Sequence, residues 1–76
     1  MTKEQLERYA EVVVSKYAPQ SRVGAAYDMR HDVYEQKIGE VRSLIIDFPS
    51  GIEKEVREEI ANAASQQLRE LYKSFF

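Results

Sequence analysis

The sequence predicts an all-α protein in which residues 1–76 form a single helical domain. Apolar residues recur at helical spacing through most of the chain. Two prolines, Pro19 and Pro49, divide it into three segments, since proline disfavours helix at and before its own position. Residue pairs typical of helix N-termini begin the first and third segments. We therefore expect a small three-helix bundle, with a short helix 1 packed on a long hairpin of helices 2 and 3.

Helix 1 is expected over residues 2–17. Thr2 and Gln5 have the spacing of a capping box, in which each side chain accepts a hydrogen bond from a free backbone N–H of the first turn. The β-branched residues of positions 12–14 lower helix propensity. The apolar periodicity outweighs them, since one helix face carries Leu6, Tyr9, Ala10, Val13 and Tyr17.

The middle segment favours one long helix that begins near Gly24 and bends or breaks at Gly39. Glycine in a helix interior costs about 1 kcal/mol relative to alanine. An apolar stripe near heptad spacing supports the helix and comprises Tyr27, Tyr34, Ile38, Val41, Ile45 and Phe48. The stripe has a gap at Arg30 or His31, where a further apolar residue would fall. The alternative is an α+β fold in which residues 41–48, rich in β-forming side chains, make a strand paired across a dimer.

Helix 3 is expected over residues 52–75. Ser50 and Glu53 have the spacing of a second capping box directly after Pro49. Glutamates lie near the start of this segment, and Arg69 and Lys73 lie near its end, which complements the helix dipole. The apolar stripe is continuous and comprises Ile52, Val56, Ile60, Ala63, Ala64, Leu68, Leu71, Tyr72 and Phe75.

Composition narrows the classes of protein. The chain has 11 Lys plus Arg against 13 Asp plus Glu, a net charge of -2 at pH 7, and no cysteine. The lack of cysteine excludes disulfide scaffolds and zinc sites built from thiolates. No apolar run approaches the roughly 18 residues that a membrane span needs, and we expect no membrane partner. The N-terminus has no apolar signal region, so we expect a cytoplasmic protein.

Catalytic and metal chemistry find little support in the sequence. His31 is the only histidine, and on a continuous helix Asp28 and Glu35 would share its face. Metal sites of this kind need matching ligands on other helices. Weak surface ion pairs that include Arg30 explain the cluster better. There is no cysteine, no nucleophile elbow and no glycine-rich phosphate loop. We expect no catalytic residue, no cofactor and no metal, and hence no enzyme.

The alternative function is a homodimeric DNA-binding transcriptional regulator. Its contacts would come from the basic residues of the middle segment, because DNA binding depends on neutralising phosphates. Acidic residues interleave with these basic ones and cancel much of their field, so nucleic acid is a weaker expectation. The basic set is Arg22, Arg30, Lys37 and Arg42, and the acidic set is Asp28, Asp32, Glu35 and Glu40.

The leading expectation is a small acidic helical module that binds another protein and inhibits or bridges it, such as an accessory subunit or an inhibitor encoded by a mobile element. One apolar end of the long hairpin would extend beyond helix 1, which favours a partner protein or a homodimer. Aromatic side chains would anchor the partner and glutamates would steer it if it is basic. The expected partner-binding residues are Tyr27, Tyr34, Phe48, Tyr72, Phe75 and Phe76, with Glu55, Glu58 and Glu59.

Overall fold

A computed structural model describes all of residues 1–76 and contains four helices and no strand. The helices are α1 (Lys3–Tyr17), α2 (Arg22–Arg30), α3 (Val33–Ile46) and α4 (Lys54–Lys73). The fold class is therefore all-α, as expected, but the expected three helices are four. The molecule measures 39 × 18 × 15 Å along its principal axes.

Helix α1 confirms the first prediction almost to the residue. Thr2 Oγ1 accepts a hydrogen bond of 3.2 Å from the backbone N–H of Gln5, and Gln5 Oε1 accepts one of 2.9 Å from the N–H of Thr2. This reciprocal pair starts the helix by satisfying two of its free donors. The buried face consists of Leu6, Ala10, Val13 and Val14.

The middle segment breaks at His31 and Asp32, and the prediction of a break at Gly39 was wrong. Asp32 has a left-handed backbone with φ of 63°, which ends α2 and starts α3 in a new direction. The break coincides with the missing member of the apolar stripe. Gly39 lies inside α3 on an exposed surface, where a Cβ atom would meet nothing within 4 Å.

The strand alternative for residues 41–48 was also wrong. Val41 and Ile45, four residues apart, are both completely buried on the inner face of α3. A helix and a strand would both place Val41 and Ile45 on one face, but a strand would bury Ser43 between them, and Ser43 is exposed. Burial thus decides against the β propensity of this segment.

The start of α4 differs from the predicted capping box. The helix begins at Lys54, and Glu53 in the N-cap position makes no side-chain hydrogen bond. Ser50 is buried instead, and its Oγ accepts a hydrogen bond of 3.2 Å from the N–H of Ile52. This bond closes the turn between α3 and α4, where Gly51 has a φ of 73° that few other residues adopt.

Helices α1, α3 and α4 pack against one another around a single core, and α2 packs on α3. Contacts between Tyr9 and Phe48 and between Tyr34 and Tyr72 show that α3 runs antiparallel to both α1 and α4. The short helix α2 therefore lies where α3 begins and α4 ends. The core comprises Leu6, Ala10, Val13, Val14, Ala25, Ile38, Val41, Ile45, Ile60, Ala61, Ala64, Leu68 and Tyr72.

The three packed helices differ from the expected long hairpin. Helix α3 has 14 residues, about the length of α1 with 15, whereas α4 has 20. The residues expected to lengthen the middle helix, 22–30, form the separate helix α2. None of the four helices combines the length and apolar character that crossing a membrane requires.

Candidate interaction surface

Helix α2 turns its large apolar side chains outward. Its two buried residues are Ala25 and Asp28, so it buries no apolar side chain larger than alanine. Val23 is 81% exposed and Tyr27 is 58% exposed, and Met29 is also exposed. An ordinary amphipathic helix has the opposite arrangement, with its large apolar side chains facing the core. The outer face of α2 thus leaves apolar side chains uncovered on both of its flanks: Val23 and Tyr27 on one, and Met29, two positions after Tyr27, on the other.

The C-terminal residue extends this face. Phe76 is 62% exposed and lines a shallow depression with Ala26, Met29 and two basic residues, Arg30 and Lys73. The guanidinium of Arg22 lies 6.0 Å from the centre of the Phe76 ring, within the range of a cation–π contact. We call the resulting area the α2 surface, and it comprises Arg22, Val23, Ala26, Tyr27, Met29, Arg30, Lys73 and Phe76.

A polar contact fixes the orientation of α2. Asp28 Oδ2 accepts a hydrogen bond of 2.5 Å from the hydroxyl of Tyr72 on α4 and one of 3.0 Å from Lys37 Nζ on α3. The ring of Tyr72 is completely buried and meets the ring of Tyr34 edge to face, with centroids 4.8 Å apart. Because Asp28 points inward, Val23 and Tyr27 on the other side of the helix point outward.

This contact keeps Asp28 charged in a largely buried position. Burial by itself would raise the pKa of the Asp28 carboxyl, but the hydrogen bonds from Tyr72 and Lys37 and the charge of Lys37 hold that pKa below its usual value. Burial, followed by the hydrogen bond to the Asp28 carboxylate and the charge of that group, raises the pKa of Tyr72 well above its ordinary range. The contact therefore joins the neutral hydroxyl of Tyr72 and the ammonium group of Lys37 to the carboxylate of Asp28.

A second open feature is a groove between α1 and α3. Exposed Leu44 lies in it, and its aromatic lining includes Tyr9 and Phe48, whose ring centres are 4.3 Å apart. Glu40 and Asp47 are the charged residues of the lining, which contains no lysine or arginine. We call it the acidic groove, and it is lined by Tyr9, Tyr17, Gln36, Gly39, Glu40, Ser43, Leu44, Asp47, Phe48 and Pro49.

The six aromatic residues expected to bind a partner do not form one surface. Tyr27 and Phe76 belong to the α2 surface, and both are exposed. Phe48 is half-buried in the wall of the acidic groove, and Tyr34 and Phe75 are half-buried against the core. Tyr72 lies in the core itself, so its expected place on an exposed surface is corrected: it positions Asp28 and is closed to a partner in this conformation.

The three expected acidic residues lie apart from the α2 surface, in the first turns of α4. Glu55 and Glu59 are exposed, and Glu58 is half-buried. Glu58 also lies 3.9 Å from Lys54, one helical turn earlier. These residues are near the end of the molecule opposite Tyr72, so they cannot share a single small contact area with Tyr27 and Phe76.

The helix break separates the residues of the candidate metal cluster. His31 and Asp32 lie between α2 and α3, so Asp28, His31 and Glu35 do not share one helix face as the continuous helix implied. His31 instead lies against the Tyr27 ring, with centroids 4.3 Å apart. No group of three or more histidine, cysteine or acidic side chains is placed to hold a metal ion.

The basic residues of the DNA-binding alternative are also dispersed. Lys37 is paired with Asp28, and Arg42 Nε donates a hydrogen bond of 3.2 Å to Asn62 on α4. Only Arg22 and Arg30 remain together on one exposed face, that of α2. The exposed residues of α3 include Glu35, Gln36, Glu40 and Ser43, which do not supply the basic face that a recognition helix needs.

Sequence patterns did not identify Val23 or Met29, and they placed Asp28 only in a surface cluster around His31. The available signal was the pairing of Val23 with Tyr27 at i and i+4, which marks an apolar helix face without saying whether it points inward or outward. Comparisons with known protein families, curated proteins and solved structures found no match to this chain. The function is therefore inferred from the surfaces of the molecule.

Proposed function

We propose that the protein is a small helical interaction module that binds another protein through the α2 surface. The observation that carries this proposal is the inverted orientation of α2, in which Val23, Tyr27 and Met29 face outward while Asp28 is buried. Solvated apolar area of this kind on a small monomer is typical of a protein interaction site.

The composition of the surface suits a protein partner. Tyr27 and Phe76 offer large apolar area, and tyrosine, methionine and arginine are enriched at protein interfaces. The three basic residues at the edges, Arg22, Arg30 and Lys73, make no ion pair within the chain. A partner with apolar side chains flanked by carboxylates would complement this surface, and its binding would inhibit or bridge that partner by covering part of it.

The proposal replaces part of the expected binding surface. Tyr27 and Phe76 stay in it, and Val23, Met29 and the three basic residues join it. The expected glutamates of α4 would steer a basic partner, whereas the α2 surface favours an acidic one. The two contact areas are far apart in the fold. Partner binding measured after mutation of Tyr27 and after mutation of Glu55 therefore shows which area the partner uses.

Affinity capture from the native host lysate, run with and without nuclease, tests the proposal. The native chain is compared with the double variant Val23→Ser/Tyr27→Ser and with the control Val12→Ser. Val12 is an exposed valine on α1, away from the α2 surface. We expect one protein to be retained by the native chain and by Val12→Ser and to be lost from the double variant. Equal retention by all three, or retention that nuclease abolishes, would contradict it, and the second result would favour DNA binding.

A further inference from the structure

The charges of the α2 surface and of the acidic groove are opposite, and none of them is paired within the chain. The ion pairs of the structure are Arg8–Glu4, Lys37–Asp28 and Lys54–Glu58. Arg22, Arg30 and Lys73 on the α2 surface are therefore without a carboxylate. Glu40 and Asp47 in the groove are likewise without a cationic partner.

The two surfaces also offer apolar contacts to each other. On the α2 surface, exposed Val23 and Tyr27 project from a nine-residue helix. The acidic groove is a depression between two helices, and Gly39 and Ser43 on α3 leave room there for an incoming side chain. Leu44 and the Tyr9–Phe48 pair supply apolar contacts on the groove side. Each surface thus offers the chemistry that the other lacks.

We propose that a second copy of the chain inserts its α2 surface into the acidic groove and covers the α2 surface while the partner protein is absent. The inference rests on the proposed function, since it describes how the same surface is regulated. The two surfaces share no residue, so each contact joins different surfaces of two copies, and a copy that donates α2 to one neighbour can accept α2 from another. Self-association and partner binding then compete for Val23 and Tyr27.

Sedimentation velocity on the full chain and two variants tests this arrangement. Val23→Ser/Tyr27→Ser removes apolar contacts from the α2 surface and keeps its basic residues. Gly39→Lys places a bulky cation in the groove, at a position where an added Cβ atom meets nothing within 4 Å. Val12→Ser is the matched control, and helicity measured by circular dichroism verifies that each variant is folded.

The expected results distinguish a contact between the α2 surface and the acidic groove from one in which a surface meets its own copy. The native chain and Val12→Ser should associate with rising concentration, and association should weaken by about tenfold or more in 1 M salt, where the screening length falls to about 3 Å. Each interface variant alone should stay monomeric. An equal mixture of the two should form a one-to-one dimer and nothing larger, because one intact α2 surface and one intact groove remain.

Two results would overturn the inference. One is a native chain that stays monomeric at all concentrations, and the other is a mixture of the two variants that does not form a dimer although the native chain does. Neither result bears on the capture of a partner protein, which the lysate experiment measures separately. Conversely, loss of partner capture in Gly39→Lys as well as in the double variant would count against the proposed function and leave self-association in place.

Discussion

The hydroxyl of Tyr72 donates a hydrogen bond of 2.5 Å to the carboxylate of Asp28, 44 positions earlier in the chain. The bond joins α4 to a helix that buries only one small apolar residue, Ala25. Little hydrophobic burial is available to hold α2 in place, so this polar contact and the ion pair with Lys37 carry much of its attachment. The direction in which Val23 and Tyr27 point depends on it.

The first prediction concerns the hydroxyl of Tyr72. Tyr72→Phe keeps the buried ring and removes one donor to Asp28, so we expect the free energy of unfolding to fall by about 1.5–3 kcal/mol, the range for a hydrogen bond to a charged group. Urea unfolding followed by circular dichroism measures this change. Tyr27→Phe is the control because Tyr27 is exposed, and equal stability losses in the two variants would count against the contact.

The second prediction is the pH dependence of that contact. The pKa of Asp28 is lowered by folding, so its contribution to stability is present above its unfolded pKa of about 3.9 and is lost as the pH falls through the folded pKa. The pKa of Tyr72 is raised by folding, so its contribution is present below about pH 10 and is lost at higher pH. The stability difference between the native chain and Tyr72→Phe should therefore shrink in acid and in strong alkali. A difference that stays constant with pH would contradict this assignment.

The third prediction compares two glycines. Gly39→Ala should raise the free energy of unfolding by about 1 kcal/mol, because the site is helical and a Cβ atom there has no close neighbour. Gly51→Ala should lower it by about 1 kcal/mol, because the φ of 73° strains any residue with a Cβ atom. Thermal or urea unfolding of both variants checks this, and effects of equal sign would be inconsistent with the two backbone conformations.

The fourth prediction tests the break between α2 and α3. Asp32 has a φ of 63° and its side chain makes no capping hydrogen bond. Asp32→Asn should be close to neutral because asparagine tolerates this conformation, whereas the β-branched residue of Asp32→Val should cost about 1–2 kcal/mol. Urea unfolding of the two variants gives the comparison. Equal free energies of unfolding for Asp32→Val and Asp32→Asn would contradict the break and indicate a helix that continues through this position.

The sequence predicted the helices whose signals are local. The Thr2–Gln5 capping box and the apolar stripe of residues 52–75 identified α1 and α4, because capping and helical periodicity are readable from neighbouring residues. The break at Asp32 was not predicted, since aspartate rarely adopts a left-handed backbone and glycine at position 39 was the stronger general signal. Ser50 was misassigned because a capping-box spacing does not show that the serine closes the preceding turn instead.

The candidate surface was only partly predictable. Tyr27 and Phe76 were identified because aromatic residues are common at interfaces, whereas the role of Asp28 depends on Tyr72, a residue on another helix. Tyr72 was expected on the surface because it is an aromatic residue near the end of the chain. It lies in the core because it contacts Asp28, which no pattern within α4 reveals. Pattern within one helix shows which residues share a face, and packing between helices decides which face is exposed.

Photo-crosslinking in the native host tests whether the α2 surface binds a partner protein. A photoreactive phenylalanine analogue replaces Tyr27 in one variant and Val12 in a second, both at exposed positions. We predict that the probe at position 27 forms a covalent adduct with another protein, whose mass distinguishes it from a second copy of the chain, and that the probe at position 12 does not. Adducts from both positions alike, or from position 12 alone, would contradict the assignment of the α2 surface as the docking site.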